Sequence, residues 1–182
     1  MNGASVTPQK QDVEQALRGL IQGIVGGTPP IEIVLGLGNR VPMPKNGFIA
    51  MTAIGSYRLE TNQDTDIDGF YAVPPAPGIT QALQATRLDL QIDFYGKYSN
   101  SWATMFGTLF RDDYSCEILG SVCQPLYADD PRMIPLISGE DQYLERWSVD
   151  CAIQYNPVTT TAQSFSASIN IVPINVYVAD HP

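Results

Sequence analysis

Arg87-Leu88-Asp89-Leu90-Gln91-Ile92-Asp93-Phe94-Tyr95 alternates polar and apolar side chains without a break until its last residue. Successive side chains of a strand point to opposite faces, so this period of two predicts a strand with Leu88, Leu90, Ile92 and Phe94 buried. Arg87, Asp89, Gln91 and Asp93 then occupy the other face. Arg146 to Tyr155 repeats the pattern, with Trp147, Val149, Cys151, Ile153 and Tyr155 inward and Arg146, Ser148, Asp150 and Gln154 outward. Two half-apolar strands need a cover for their apolar side.

Two amphipathic stretches can supply it. Val13, Ala16, Leu17, Leu20, Ile21 and Ile24 recur at three-and-four spacing, opposite Asp12, Glu14, Gln15, Arg18 and Gln22. Thr7-Pro8 is a suitable start, and Gly26-Gly27 with Pro29-Pro30 a stop. A second helix is expected to open at Asn100-Ser101, with Trp102, Met105, Phe106, Leu109 and Phe110 as its buried stripe. Further strands are expected at Ile31 to Leu35, at Phe48 to Tyr57, which is apolar at both parities, and at Ser166 to Val178. Pro125 to Glu145 reads as a loop. The polar, then proline-rich stretch 60–85 is too long for an ordinary connection and reads as an extended loop or arm. The expected fold is α+β: a mostly antiparallel, mixed sheet with two main helices packed on one face, in a single domain over 1–182.

The composition removes several functions. Ten Lys and Arg stand against nineteen Asp and Glu in 182 residues, a net charge of −9, and the only lysines are Lys10, Lys45 and Lys97. Gripping nucleic acid requires clustered cations, so DNA is expected to be passed rather than held. No apolar run reaches the roughly eighteen residues of a membrane span, and Met1 to Gln11 lacks the order of a signal peptide. The chain is therefore expected to be made and kept in the cytoplasm, away from membranes. Cys116, Cys123 and Cys151 form no CxxC or CxxH pattern and are read as reduced thiols.

Candidate chemistry is sparse. Asp64-Thr65-Asp66-Ile67-Asp68-Gly69 resembles the opening of a calcium loop, with Asp64, Asp66 and Asp68 as the only weak metal candidates. Pro75 stands where a bidentate Glu is needed, so a solvated acidic turn is the expectation. The pairs Asp112-Asp113, Asp129-Asp130 and Glu140-Asp141 have no neighbouring Lys or His to act as base. The one histidine, His181, sits next to the end of the chain, a poor place for a rigid triad. Gly36-Leu37-Gly38 lacks the third glycine of a dinucleotide fingerprint. No catalytic residue and no cofactor is expected. The outward residues Arg87, Asp89, Gln91, Asp93, Arg146 and Asp150 remain: an ordinary solvated face, or a subunit interface or channel wall.

Several stretches resemble the neck or tail terminator proteins of long-tailed phages. They are Asn39 to Pro44 with Phe48 to Thr52, Glu60 to Asp64, and Thr108 to Tyr114. The longest is Pro125 to Arg132, running on through Gly139 to Trp147 and Gln154 to Pro157. The resemblance implies a virion subunit that forms a homo-hexameric ring, caps the tail-tube protein and offers a docking surface for head-completion proteins, and in a contractile tail for the sheath. Genomic DNA would pass through unbound. A rival connector role, as a head-completion or tail-tube protein, stays open, as does a calcium-binding or metal-dependent protein built on the aspartate loop.

Overall fold

A computed structural model of the chain describes residues 4–27, 30–36, 44, 47–69, 78–137 and 143–163. Among the described residues the elements run β1 (Ser5–Thr7), α1 (Lys10–Val25), β2 (Glu32–Leu35), β3 (Phe48–Arg58), β4 (Gln63–Ile67), β5 (Gly78–Leu83), β6 (Thr86–Tyr95), α2 (Ser99–Leu109), α3 (Asp113–Leu119) and β7 (Gln124–Ala128). They end with β8 (Arg132–Met133), β9 (Leu136–Ile137), β10 (Tyr143–Leu144), β11 (Arg146–Tyr155) and β12 (Val158–Gln163). The class is α+β, as the sequence predicts.

The larger sheet has the order β2-β3-β6-β11-β7, with β8 also beside β11. Its strands are antiparallel except for the β2–β3 pair. The two alternating segments lie side by side at its centre, paired from Arg146 opposite Tyr95 to Tyr155 opposite Thr86. That register puts Leu88, Leu90, Ile92 and Phe94 on the same face as Val149, Cys151 and Ile153. Ile49 and Met51 from β3 extend the apolar surface, and Val13, Leu17, Leu20 and Ile21 of α1 close over it. Burying such aliphatic side chains contributes about 1.5–3 kcal/mol each.

Helix α1 begins later than Thr7-Pro8 suggests, because Thr7 is taken into β1. The Gln9 backbone N–H donates to the Asp12 carboxylate at 2.7 Å, satisfying one donor at the helix start. Gly26, at φ 64°, ends the helix. Helix α2 is rotated from the expected stripe. Ser99, Ala103, Phe106 and Gly107 are buried, Phe110 follows them, Trp102 and Leu109 are half-buried, and Met105 is exposed. Ala103 joins the buried cluster and Gly107 lies against Pro131, while Phe106 reaches Phe94 (5.8 Å between centroids) and Phe110 (5.0 Å). A scan for large apolar side chains misses a stripe built partly of Ala and Gly. Helix α3 was not anticipated: two turns, capped by Asp112 and ended by Gly120 at φ 54°.

The stretch 125–145, expected as a loop, contributes β7 to β10. Pro125 is tolerated because β7 is an edge strand, docked on the far side of β11. The expected strand at Ser166 to Val178 lies outside the described residues. The strand β12, by contrast, lies where the sequence reading stopped at Asn156-Pro157.

The smaller sheet has the order β1-β12-β5-β4, antiparallel throughout. It continues the larger one. After short breaks β3 and β11 run on into β4 and β12, and β5 leads into β6, so the lateral order is preserved. The breaks are stitched by Leu59 N–H donating to Ala85 O (2.9 Å) and Gln84 N–H donating to Pro157 O (3.0 Å). Among the described residues none of this sheet belongs to a buried apolar cluster, and β4 is exposed along its whole length.

Phe106→Ala is expected to lower the unfolding free energy by about 3–5 kcal/mol, and Met105→Ala by no more than about 0.5 kcal/mol. Urea denaturation of both variants checks this; equal losses would mean that the other face of α2 meets the sheet.

Candidate functional site

The helices cover one face of the larger sheet; its other face gathers Arg87, Asp89, Asp93, Arg132, Arg146 and Asp150, with Glu32 at the β2 margin. The β6–β11 register sets Ser148 opposite Asp93, Asp150 opposite Gln91 and Gln154 opposite Arg87. On the other flank, Ala50, Thr52 and Tyr57 of β3 oppose Asp93, Gln91 and Arg87. All six residues predicted from sequence, Arg87, Asp89, Gln91, Asp93, Arg146 and Asp150, thus come together on this face.

They are paired within the chain. Arg87 Nε and Nη2 donate to the two carboxylate oxygens of Asp89 at 2.6 and 3.2 Å, a two-point fork. The same guanidinium lies 5.1 Å from the Tyr127 ring centre and also donates to the Tyr127 hydroxyl. Arg132, not anticipated from sequence, donates to Asp150 from β8. Gln91 Nε2 donates to Ser148 Oγ at 2.8 Å. Arg146 Nη2 donates to Asp93 Oδ2 at 2.7 Å, and its guanidinium carbon sits 5.8 Å from the Tyr95 ring centre. That ring stacks on Phe48 with 4.3 Å between centroids and 9° between planes.

The pairing differs from a solvated face in depth. Asp93 is only 4% exposed. Burial alone disfavours the Arg146 charge, but the hydrogen bond and the negative charge of Asp93 more than offset it, and the Arg146 pKa is raised. Among the described residues, Asp93 Oδ1, Arg146 Nε and Asp150 Oδ1 are buried without a hydrogen-bond partner. Three arginines balance three aspartates in pairs, and Glu32, in register with Phe48, Tyr95 and Arg146, adds one further negative charge to a face far closer to neutral than the whole chain at −9.

The metal candidates lie elsewhere. Asp64 and Asp66 are on β4, an exposed edge strand rather than the acidic turn expected, and Asp68 follows it. Asp66 accepts a hydrogen bond from Thr80 Oγ at 2.6 Å. Their two-residue spacing on an extended backbone spreads them along the strand, whereas a calcium loop curls its ligands around a centre. Among the described residues no three His, Cys, Asp or Glu side chains are grouped to hold a metal.

The other chemical candidates are also dispersed. Asp112 caps α3 by accepting from Asp113 N–H at 2.8 Å, and Asp130 pairs with Arg111 at 3.2 Å. Glu140, Asp141 and His181 lie outside the described residues. Burial pushes the Cys123 thiol up from the usual 9.0 to about 11 and raises Cys151 still more strongly, with Asp150, Asp89 and Asp129 adding to the effect. Neither is a ready thiolate near neutral pH. Among the described residues no helix is long and apolar enough to cross a membrane.

Compared with known proteins, the chain matches the family described as phage neck terminator protein over residues 11–178. No curated protein matches it. The chain belongs to the phage neck terminator family, whose members are structural components of the virion that meet other tail and neck proteins.

Asp93→Ala is expected to destabilise the fold by about 3 kcal/mol, because it strands the Arg146 charge. Replacing both partners, as Asp93→Leu with Arg146→Met, is expected to recover most of that loss in urea denaturation. Cys123 supplies a separate test. Its folded pKa is raised, so its contribution to stability is complete below pH 9 and is lost as pH rises through about 11. The decline in unfolding free energy over that window should be shallower in Cys123→Ala; identical slopes would show that the thiol does not contribute.

Proposed function

We propose, from this membership, that the chain forms a hexameric ring at the top of the phage tail, ends the tail tube, joins it to the head-completion proteins and leaves a channel for DNA. The family match over residues 11–178 carries the reading. In a contractile tail the ring also meets the last sheath ring. The subunit is made in the host cytoplasm and enters the virion as a structural part, without catalysis. It acts as one domain over 1–182, with the segment 60–85 contributing β4 and β5 to the smaller sheet instead of a free arm.

The charge distribution supports this assignment. A chain at −9 with three lysines repels the DNA phosphates, as a channel that must not retain its cargo requires. The helix-free face is assigned to a subunit contact or to the channel wall. Its arginines and aspartates are neutralised in pairs, a fixed pattern of opposite charges of the kind that sets register between copies. Arg87, Asp89, Gln91, Asp93, Arg146 and Asp150 are the residues so assigned.

Negative-stain electron microscopy of the purified protein, alone and mixed with tail tubes lacking it, tests the ring. Six-fold rings, or caps at one end of each tube, are expected. Long open stacks would identify a tube protein instead, and monomers that ignore the tubes would end the terminator reading.

A further inference from the structure

We propose that copies of the chain join edge to edge through the smaller sheet, β4 of one copy pairing with β1 of the next. This deepens the ring reading and rests on it. Among the described residues β4 and β1 end that sheet, each hydrogen-bonded on one side only, to β5 and to β12 respectively. An open strand edge presents a row of backbone donors and acceptors whose natural complement is another strand. Among the described residues the sheet adds nothing to a buried core, and β1 and β4 are exposed along their length.

Direction and charge select the occupant. Among the described residues the sheet has four strands, every neighbouring pair antiparallel, so its two edge strands run in opposite directions. A second copy, related by rotation about an axis along the strands, brings its β1 beside β4 in antiparallel orientation, and the alternation continues from copy to copy. Head-to-tail repetition of this kind is heterologous, as ring closure requires. A two-fold β4–β4 contact would also be antiparallel, but it sets Asp64 and Asp66 against their own duplicates, and like charges facing each other across strands repel. Against β1 the same aspartates meet Ser5, Val6 and Thr7, which are uncharged. Exposed apolar side chains follow both rims of the continuous sheet: Tyr57, Leu59 and Ile67 on the β3–β4 side, Val6, Leu126 and Met133 on the β1–β7–β8 side.

Disulfide trapping tests the pairing. Asp64, Asp66 and Val6 lie on one face of the sheet by register, so Val6→Cys combined with Asp64→Cys or with Asp66→Cys samples two alignments. Both are made in the full chain with the exposed Cys116 replaced, Cys116→Ser. Rings are isolated, or formed on tail tubes, then oxidised and run on non-reducing gels. The expected result is a ladder of covalent multimers from at least one double variant and monomers alone from each single variant. Dimers from Asp64→Cys or Asp66→Cys alone would overturn the proposal in favour of a two-fold contact. Intact rings that yield no cross-link from either double variant would overturn it while leaving the ring standing. If the unmodified protein forms neither rings nor caps, the ring reading fails and this pairing falls with it. A second variant reads the same contact through charge: Val6→Asp is expected to abolish assembly, and adding Asp64→Asn and Asp66→Asn to restore it. Unimpaired rings from Val6→Asp would count against the pairing.

Discussion

The ten-residue antiparallel pairing of β6 with β11 is the constraint from which the rest follows. A slip of one residue would turn every side chain of one strand to the opposite face, placing Asp93 and Gln91 under the helices and Phe94 in water. The observed register avoids this. It makes one face continuous for α1 and α2 to cover, and on the other it brings Arg146 to Asp93 and Gln91 to Ser148. The same two strands are continuous with β5 and β12, so the register of the core is carried into the smaller sheet.

Legibility followed the length and regularity of each pattern. The strands at Arg87 and Arg146, the first helix and the short β2 were readable because periodicity and stop residues agreed. What escaped was decided by partners distant in sequence. The segment QPLYA becomes β7 only because β11 offers an edge, and Thr-rich β12 only because β5 and β1 flank it. Periodicity places helix α2 but not its inner face, because Ala103 and Gly107 are buried where the larger Met105 is exposed. The candidate face was found by parity alone; its pairing was not. Arg132 reaches Asp150 through a two-residue strand with no signal of its own, and nothing in the alternation separates buried Asp93 from the more open Asp89.

The protein also separates two uses of charge. On the helix-free face, arginine and aspartate sit in half-buried or buried pairs that cancel, which gives that surface shape and register more than potential. The surplus acid lies elsewhere, with Glu60, Asp64, Asp66 and Asp68 following one another through β4 and its flanks on an exposed segment. Net charge therefore describes the field around the molecule and says little about the surface most densely populated with ions.

An even number of strands in the smaller sheet has a consequence for stoichiometry. Because its first and last strands oppose each other in direction, the hydrogen-bonding pattern of an edge-to-edge assembly repeats identically whatever the number of copies. Strand pairing thus specifies that neighbours join and in which sense, while remaining indifferent to how many join. The count is left to the angle between adjacent copies, a property of curvature that a template of fixed diameter can impose.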